Sequence, residues 1–502
     1  MDRHPRRWLI LVVLCLSTWV LVVDNGVLTV AIPPLTNDLG ASTQDIQWII
    51  DGYILVFAGL LLTAGSLSDR YGRRRVMIIG LLVFGAASLV ATYAASPAEL
   101  IAGRVLMGVG GALVMPSTLS ILITVFDDTE RRKAMSIWSS VLMVGMVGGP
   151  VVGGALIAKF WWGSVFLINV PVVVLAIVAA LTWMPESKGP WRKPDPLGAV
   201  LSVTGMTALV WVIIALPQHG LAHPGTLAAL AVAVLGLVGF VIWEIRTPDP
   251  MVPLQLFRDR NFSGGSLSLV LAQVGNGGLL LALTQYLQFV LGYSPTQAGL
   301  ALAPMAVAVI VVNGVGATLG QKIGNRPLVV SGLVVLAAAF GVLATLSADD
   351  GFPMVATALV LFGIGAGLAQ PAAIAALMGA VPPEHAGVGS ALNDTVQQAG
   401  AALGVAALGS VLATTFTGAM PASAPEAARH SIADALGVAA RAGDAGLAAA
   451  ARDAFTTAMS VAFVAGACGV LASAVLALLL LRDRKAGPVE EPAASRRSTT
   501  TS

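Results

Sequence analysis

The chain has 502 residues, of which 57% are hydrophobic and only 11% charged, and its formal net charge is +2. Soluble domains carry about 25% charged residues, so a water-soluble globule is excluded, and so even a charge balance gives no reason to expect a nucleic-acid partner. The two cysteines, Cys15 and Cys468, lie in separate apolar runs and there are only five histidines, so neither a disulfide, a metal site nor a nucleophile constellation is expected. The chain reads as a non-enzyme.

The mean hydropathy of +0.86 is gathered into apolar blocks of about 20 residues, the length that crosses roughly 30 Å of hydrocarbon as a helix. The alternating blocks of about 10 residues that build membrane β-barrels are not seen. Fourteen spans are predicted, over 8–32, 46–66, 76–94, 98–124, 134–158, 163–184, 197–217, 225–244, 262–291, 296–320, 327–347, 353–378, 387–416 and 455–482. The first follows Arg3, Arg6 and Arg7 and is too long for the apolar core of a signal peptide, so it reads as a retained span. With the N-terminus cytoplasmic, the inside segments collect most of the 28 Lys and Arg residues. These are Arg3, Arg6 and Arg7; Arg70 and Arg73 to Arg75; Arg131 to Lys133; Lys188, Arg192 and Lys193; Arg246, Arg258 and Arg260; Lys322 and Arg326; and Arg482, Arg484 and Lys485. The count therefore obeys the positive-inside rule, with both termini inside. The Ala-rich stretch 424–453, within a long outside loop 417–453, is expected to form a surface helix. The Pro/Ser/Thr-rich tail 486–502 is expected to be disordered.

Two segments match at one constant offset. Gly108, Gly110, Leu113 and Pro116 of span four return as Gly363, Gly365, Leu368 and Pro371 of span twelve; Gly145, Gly149 and Gly154 of span five return as Gly400, Gly404 and Gly409 of span thirteen. The implied division is an N-terminal six-helix half (1–190), two inserted helices with their linkers (191–260) and a C-terminal six-helix half (261–485). Parallel halves of this kind place a substrate site near the bilayer midplane between them.

Three motifs carry a family resemblance. The second loop reads Gly65-Ser66-Leu67-Ser68-Asp69-Arg70-Tyr71-Gly72-Arg73-Arg74-Arg75 and closely resembles the signature loop of the major facilitator superfamily. Its chemistry suits a latch: Asp69 at a helix end pairs with arginine or a neighbouring helix N-terminus, Gly72 permits the tight turn, and Arg70 and Arg73 hold the loop at the membrane face. A decayed copy, Gln321 to Arg326, lacks the acid. Span five carries Gly145, Gly149, Pro150, Gly153 and Gly154, similar to the motif of antiporters in that superfamily. There small residues let helices approach closely and proline bends them. Span one ends Val23-Asp24-Asn25-Gly26-Val27-Leu28-Thr29-Val30-Ala31-Ile32-Pro33, similar to a signature of the fourteen-helix drug/proton antiporters that export quaternary ammonium compounds, with Thr29 where Asn is usual. Trp162, Phe166, Asn169 and Pro171 also fit that family. The resemblance implies an all-α membrane protein with the major facilitator fold, in six plus two inserted plus six helices.

Four ionisable residues fall well within spans: Asp24, Asp51, Arg104 and Asp394. A charge at mid-bilayer costs at least about 2.5–3.5 kcal/mol, so each needs a reason. Asp24 is a candidate proton carrier. Asp51 and Arg104 lie at similar depth, and two readings stay open for Asp51, a static ion pair with Arg104 or a proton or cation site. The resemblance assigns Arg104 a part in proton coupling and Asp394 a role as cation contact or coupling acid. Trp19, Tyr53, Phe57, Trp138 and Tyr286 are candidates for stacking on a planar cation.

The expected activity is proton-coupled export of lipophilic, cationic drugs or antibiotics across the bacterial plasma membrane. The partners are a small-molecule substrate, protons and the bilayer. No cofactor is expected, because the proton gradient drives the cycle, and the chain is expected to act as a monomer. A proton-coupled metabolite importer and a dedicated exporter of one natural product remain the alternatives.

Overall fold

The computed structural model describes residues 5–41, 43–189, 195–220 and 223–482. The tail 486–502 and the basic pair at 192 and 193 lie outside the described residues. Thirteen helices among the described residues are long and apolar enough to cross a membrane, and a bent pair, Glu130–Met146 with Gly148–Lys159, makes a fourteenth crossing. The spans in order are Arg7–Asp38, Thr43–Tyr71, Arg73–Thr92, Pro97–Val125, Asp128–Lys159, the tandem Ser164–Leu167 and Asn169–Trp183, Pro196–His219, Pro224–Arg246, Arg260–Gln285 continued by a π-helical turn Tyr286–Val290, the tandem Pro295–Ala301 and Ala303–Ile323, Asn325–Ala344, Phe352–Gly379, Ala386–Ala419 and Ala445–Leu480. Helix is the form the bilayer requires, since each backbone N–H and C=O is then satisfied within the segment. Starts are set by caps: Ser96 accepts from Glu99 N, Asp127 from Glu130 N and Asp259 from Asn261 N.

Spans one to six pack among themselves and spans nine to fourteen do likewise. The internal repeat is visible as matched close approaches. A Cβ on Gly108 would lie 2.8 Å from Tyr53 O, and one on Gly363 2.5 Å from Met305 O; a Cβ on Gly110 would meet Gly80 O at 2.7 Å, and one on Gly365 Gly332 O at 2.7 Å. The two turns of the decayed motif pair also match, with Gly72 at φ +117° and Gly324 at φ +90°, a region that only glycine enters freely. The halves meet along two seams, span two and span four against span thirteen, and span five against span ten. The inserted span seven packs against spans two and thirteen, and span eight packs on span seven. The insertion therefore braces one seam and leaves the other free.

The outer end of span fourteen differs from expectation. The surface helix expected over 424–453 is confined to Ile432–Ala442, which ends at Gly443 in the left-handed conformation (φ +66°). Asp444 then caps a new helix by accepting from Leu447 N at 2.9 Å, so span fourteen starts at Ala445 rather than near 455. Arg452 and Asp453 interrupt the apolar pattern without ending the helix, because Arg452 Nε donates to Phe289 O at 3.3 Å. The long loop is thereby shortened at its C-terminal end.

Candidate functional site

Asp24, Arg104 and Asn169 form one buried cluster in the N-terminal half. Asp24 sits about 26 Å along span one from Arg7, and Arg104 about 10 Å in from the opposite end of span four, at 1.5 Å per residue. The Arg104 guanidinium donates to Asp24 Oδ2, Asn169 Nδ2 donates to Asp24 Oδ1 at 2.8 Å, and Arg104 Nε donates to Ile49 O at 3.1 Å. Arg104 is 0% and Asp24 1% exposed. The guanidinium carbon lies 4.4 Å from the centre of the Tyr53 ring, which in turn stacks on Phe57 at 5.6 Å. A buried ion pair is costly to desolvate and costlier to break one-sidedly, so this arrangement holds one charge only while the other is present.

Arg104 does not pair with Asp51, which closes the static ion-pair reading of that residue. Depth along a helix is one coordinate and the facing direction is the other. Ile49 and Tyr53 are four residues apart and share a face of span two, while Asp51, at 100° per residue, points to nearly the reverse side. Asp51 is half-buried and shares its side of span two with Leu55 and Trp48, which meet span seven through Val210 and Trp211.

Asp394 stands apart, about 12 Å into span thirteen from Ala386. It is 4% exposed; its Oδ1 accepts from Asn393 Nδ2 at 3.0 Å, and its Oδ2 has no hydrogen-bond partner among the described residues. A buried carboxylate in that position lacks compensation and needs a proton or a cation. Gln397 Nε2 donates to Asn393 O at 3.4 Å and Gln370 Nε2 donates to Gln397 Oε1 at 3.0 Å. This amide chain reaches a narrow cleft that Gln273, Asn276, Gln370 and Phe362 line from the C-terminal half and Met143 from span five. Its lining is largely apolar with a few placed polar groups, the composition of small-molecule sites. The ionisable residues alone did not point to these amides, and Asn169 stood out only as part of the family pattern and not as a partner of Asp24. Their signal was the presence of Gln and Asn inside otherwise apolar runs.

The aromatic candidates divide. Trp138 is buried and its Nε1 donates to Thr18 Oγ1 at 2.9 Å; Trp19 is half-buried beside Gly145. Tyr286 is fully buried, and its hydroxyl donates to Ser347 O at 2.9 Å and Asp350 O at 3.3 Å. It therefore ties the outer end of span nine to the loop after span eleven instead of joining Asp394, because its hydroxyl finds backbone acceptors there. Among the described residues, no three His, Cys, Asp or Glu converge as a metal site.

The motif residues build two mechanical elements. On the face that holds both ends of the described chain, Asp69 Oδ1 accepts from Arg73 Nε at 2.9 Å, Arg73 Nη2 at 2.7 Å and Gly387 N at 2.9 Å, and Oδ2 accepts from Val388 N at 3.1 Å. Arg73 Nη2 also reaches Pro383 O at 2.8 Å. The acid thus joins its own arginine to the N-terminus of span thirteen, as its chemistry led one to expect, and ties the halves together on this face. A Cβ on Gly65 would come within 2.5 Å of Ala391 Cβ, so the helices touch along the latch. Arg70 lies over Tyr71, 5.0 Å from the ring centre. In span five, Gly149 packs on Gly26 of span one, where an added Cβ would be 2.9 Å from the Gly26 Cα, and Gly145 packs on Val22. Gly153 is buried and Gly154 faces Thr296 of span ten. Pro150 has no N–H for the Met146 carbonyl, which accounts for the 40° bend of this span.

The family model described as Major Facilitator Superfamily matches residues 14–405 and again 266–501. The chain belongs to the Major Facilitator Superfamily. Within the superfamily, it is 36% identical to the multidrug efflux pump LfrA of Mycolicibacterium smegmatis over 87% of this chain and 88% of that protein. It is 34% identical to the tetracenomycin C resistance and export protein of Streptomyces glaucescens over 83% of this chain and 78% of that protein. The fold is that of the human organic anion transporter MFSD10, at a TM-score of 0.62 and 15% identity, covering 93% of this chain and all of that one. As a superfamily member the chain is a multi-pass membrane transporter of small molecules.

Proposed function

We propose that this chain is a proton-coupled antiporter that exports lipophilic, cationic drugs or antibiotics across the bacterial plasma membrane. It works as a monomer, with both termini in the cytoplasm and with no cofactor beyond the proton gradient. The observation that carries this reading is the unequal state of two buried acids: Asp24 is held by Arg104 and Asn169, whereas Asp394 keeps an oxygen with no donor among the described residues. A proton and Arg104 compete for Asp24, which suits a proton carrier. A cationic cargo supplies what Asp394 lacks. The relatives named for multidrug efflux and for tetracenomycin C export support the drug class, and the second of them also favours the narrower reading of an exporter of one natural product.

In the cycle, the latched cytoplasmic face is the state from which cargo leaves outward. Protonation of Asp24 frees Arg104, the latch opens, cargo enters from the cytoplasm, and loss of the proton inward restores the pair. The test is efflux of a panel of cationic dyes and antibiotics from cells expressing the chain, with and without a protonophore. Extrusion that stops when the gradient is collapsed is expected. Extrusion that continues unchanged would remove proton coupling from the account.

A further inference from the structure

The inserted spans seven and eight bring two acids together outside the site described above. Asp195 is the N-cap of span seven. Its Oδ1 accepts from Gly198 N at 2.8 Å and from Trp243 Nε1 of span eight at 2.9 Å, and the same indole nitrogen lies 3.1 Å from Oδ2. Glu244 follows Trp243 near the end of span eight and is only 3% exposed. The chain after span eight folds over it, so that Val252 N donates to Glu244 Oε2 at 2.9 Å. Glu244 Oε1 is buried and has no donor among the described residues. That oxygen faces Asp195. A Cβ on Gly198 would lie 2.3 Å from Asp195 Oδ2 and 2.9 Å from Glu244 Oε1, so the two carboxyl oxygens flank one point, and a side chain at 198 would drive them apart.

Two carboxyl groups that share a buried site do not both ionise unless a cation stands between them. Among the described residues, no lysine or arginine forms an ion pair with either acid. The two acids are also unequal. Asp195 has a helix N-terminus and an indole N–H to stabilise its charge, whereas Glu244 Oε1 has no donor to accept from. We infer that Asp195 and Glu244 form a proton-binding site of the inserted helices, in which one proton is carried on Glu244 Oε1 and donated to Asp195 Oδ2. Asp195 is half-buried and lines a recess of about 200 Å³ on the latched face, which gives the proton its exchange with solution. The other titratable groups on that recess are Asp69 and Arg70 at the end of span two, Asp249 after span eight, and Glu384 and His385 before span thirteen. Loss of the proton to water leaves two carboxylates face to face, so the stability it contributes is present at lower pH and fades as pH rises and the pair empties. Span seven packs on spans two and thirteen, so this site makes the brace beside the latch responsive to pH.

The full chain in nanodiscs is titrated from mildly acid to alkaline buffer by infrared difference spectroscopy, which reads the C=O stretch of protonated carboxyl groups. Parent minus Glu244→Gln should isolate one protonated carboxyl per chain on the acid side, lost on the alkaline side. Glutamine can donate to Asp195 as the acid does, so Glu244→Gln should fold, and its melting temperature should lack the part of the alkaline fall that the pair causes in the parent. Asp195→Asn leaves Glu244 in place and should shift or remove the same band; it is read alone if Glu244→Gln does not give folded protein. His385→Gln removes the recess group whose ordinary titration lies nearest neutrality and should keep both signals. An identical carboxyl band in parent and folded variants of the pair, or loss of the band in His385→Gln, overturns the inference. So does a pair held by a metal cation, for which the parent would show no such band, and added sodium or magnesium would raise its melting temperature but not that of Glu244→Gln.

Discussion

Replacing Asp69 by Asn tests whether the latch sets the balance between conformations. The carboxylate accepts two hydrogen bonds from its own Arg73 and two from the backbone of span thirteen, at Gly387 N and Val388 N. Only the last two cross between halves, so only they bear on opening. Hydrogen bonds to a charged group contribute about 1.5–3 kcal/mol each, and taking the lower figure for a site at the membrane face gives a loss of about 3 kcal/mol on opening. A difference of 1.4 kcal/mol is tenfold, so the latched state should lose about a hundredfold of its advantage. The shift is measurable as the distance distribution between spin labels on the terminal-face ends of span two and span twelve, in nanodiscs. The Asp69→Asn variant should show a larger share of long distances than the parent, and an ordinary distribution would refute the claim that these two bonds hold the face shut.

Asp24→Asn should abolish gradient-driven efflux and lower the melting temperature, because removing one partner of a buried pair costs about 3–5 kcal/mol; adding Arg104→Gln should recover much of the stability and none of the transport, as read by dye efflux and thermal unfolding in detergent. Asp394→Asn should raise the KM for cationic cargo at least tenfold while leaving uncharged cargo nearly unaffected, and equal loss for both would remove Asp394 from cation contact. Asp350 outside the spans accepts from Ser347 N and Oγ, both at 2.8 Å, and these bonds hold its carboxyl below the usual carboxylate range. A depressed value stabilises the loop above the ordinary value of about 3.9, and that contribution fades as pH falls through the lower folded value. Hydrogen exchange at the Ser347 amide should therefore quicken only in strong acid, and Asp350→Asn should show the quickened rate at neutral pH.

Fourteen crossings were legible because apolar blocks of membrane length leave little choice of structure. The latch was legible as well: an acid at a helix end, a glycine at the turn and an arginine four residues on describe a local geometry almost fully. What failed was pairing across helices. Depth along the helix left a pair of Asp51 with Arg104 open, yet span two presents Ile49 and Tyr53 to Arg104 and turns Asp51 toward span seven. The route from Asp394 to the cleft was invisible for a related reason. Gln370 and Gln397 meet only when spans twelve and thirteen are packed, and a search for charges passes over amides. The start of span fourteen was placed late because Arg452 and Asp453 break the hydropathy, although a helix beyond the bilayer is free to carry them.

Span two connects the Arg104–Asp24 pair to the latch. Ile49 and Tyr53 hold Arg104 at one end of this helix, and Gly65 and Asp69 hold span thirteen at the other, about 24 Å away at 1.5 Å per residue. Both ends belong to one rigid element, so a change in what Arg104 is bound to can tilt the helix that carries Asp69. Coupling of this kind needs an element with two arrangements biased from both sites. It predicts an effect for Tyr53, whose ring lies under Arg104. Tyr53→Leu keeps the apolar volume but removes the ring under Arg104, a contact of about 2 kcal/mol when desolvated. Cargo binding should be retained, measured by fluorescence polarisation of a cationic dye, while the dye-induced proton release expected of the parent protein should fall severalfold. If proton release remained at parental size with dye binding intact, span two would not be the link, and the seam between spans five and ten, where Asn313 Nδ2 donates to Ser140 Oγ at 2.9 Å, would have to carry it.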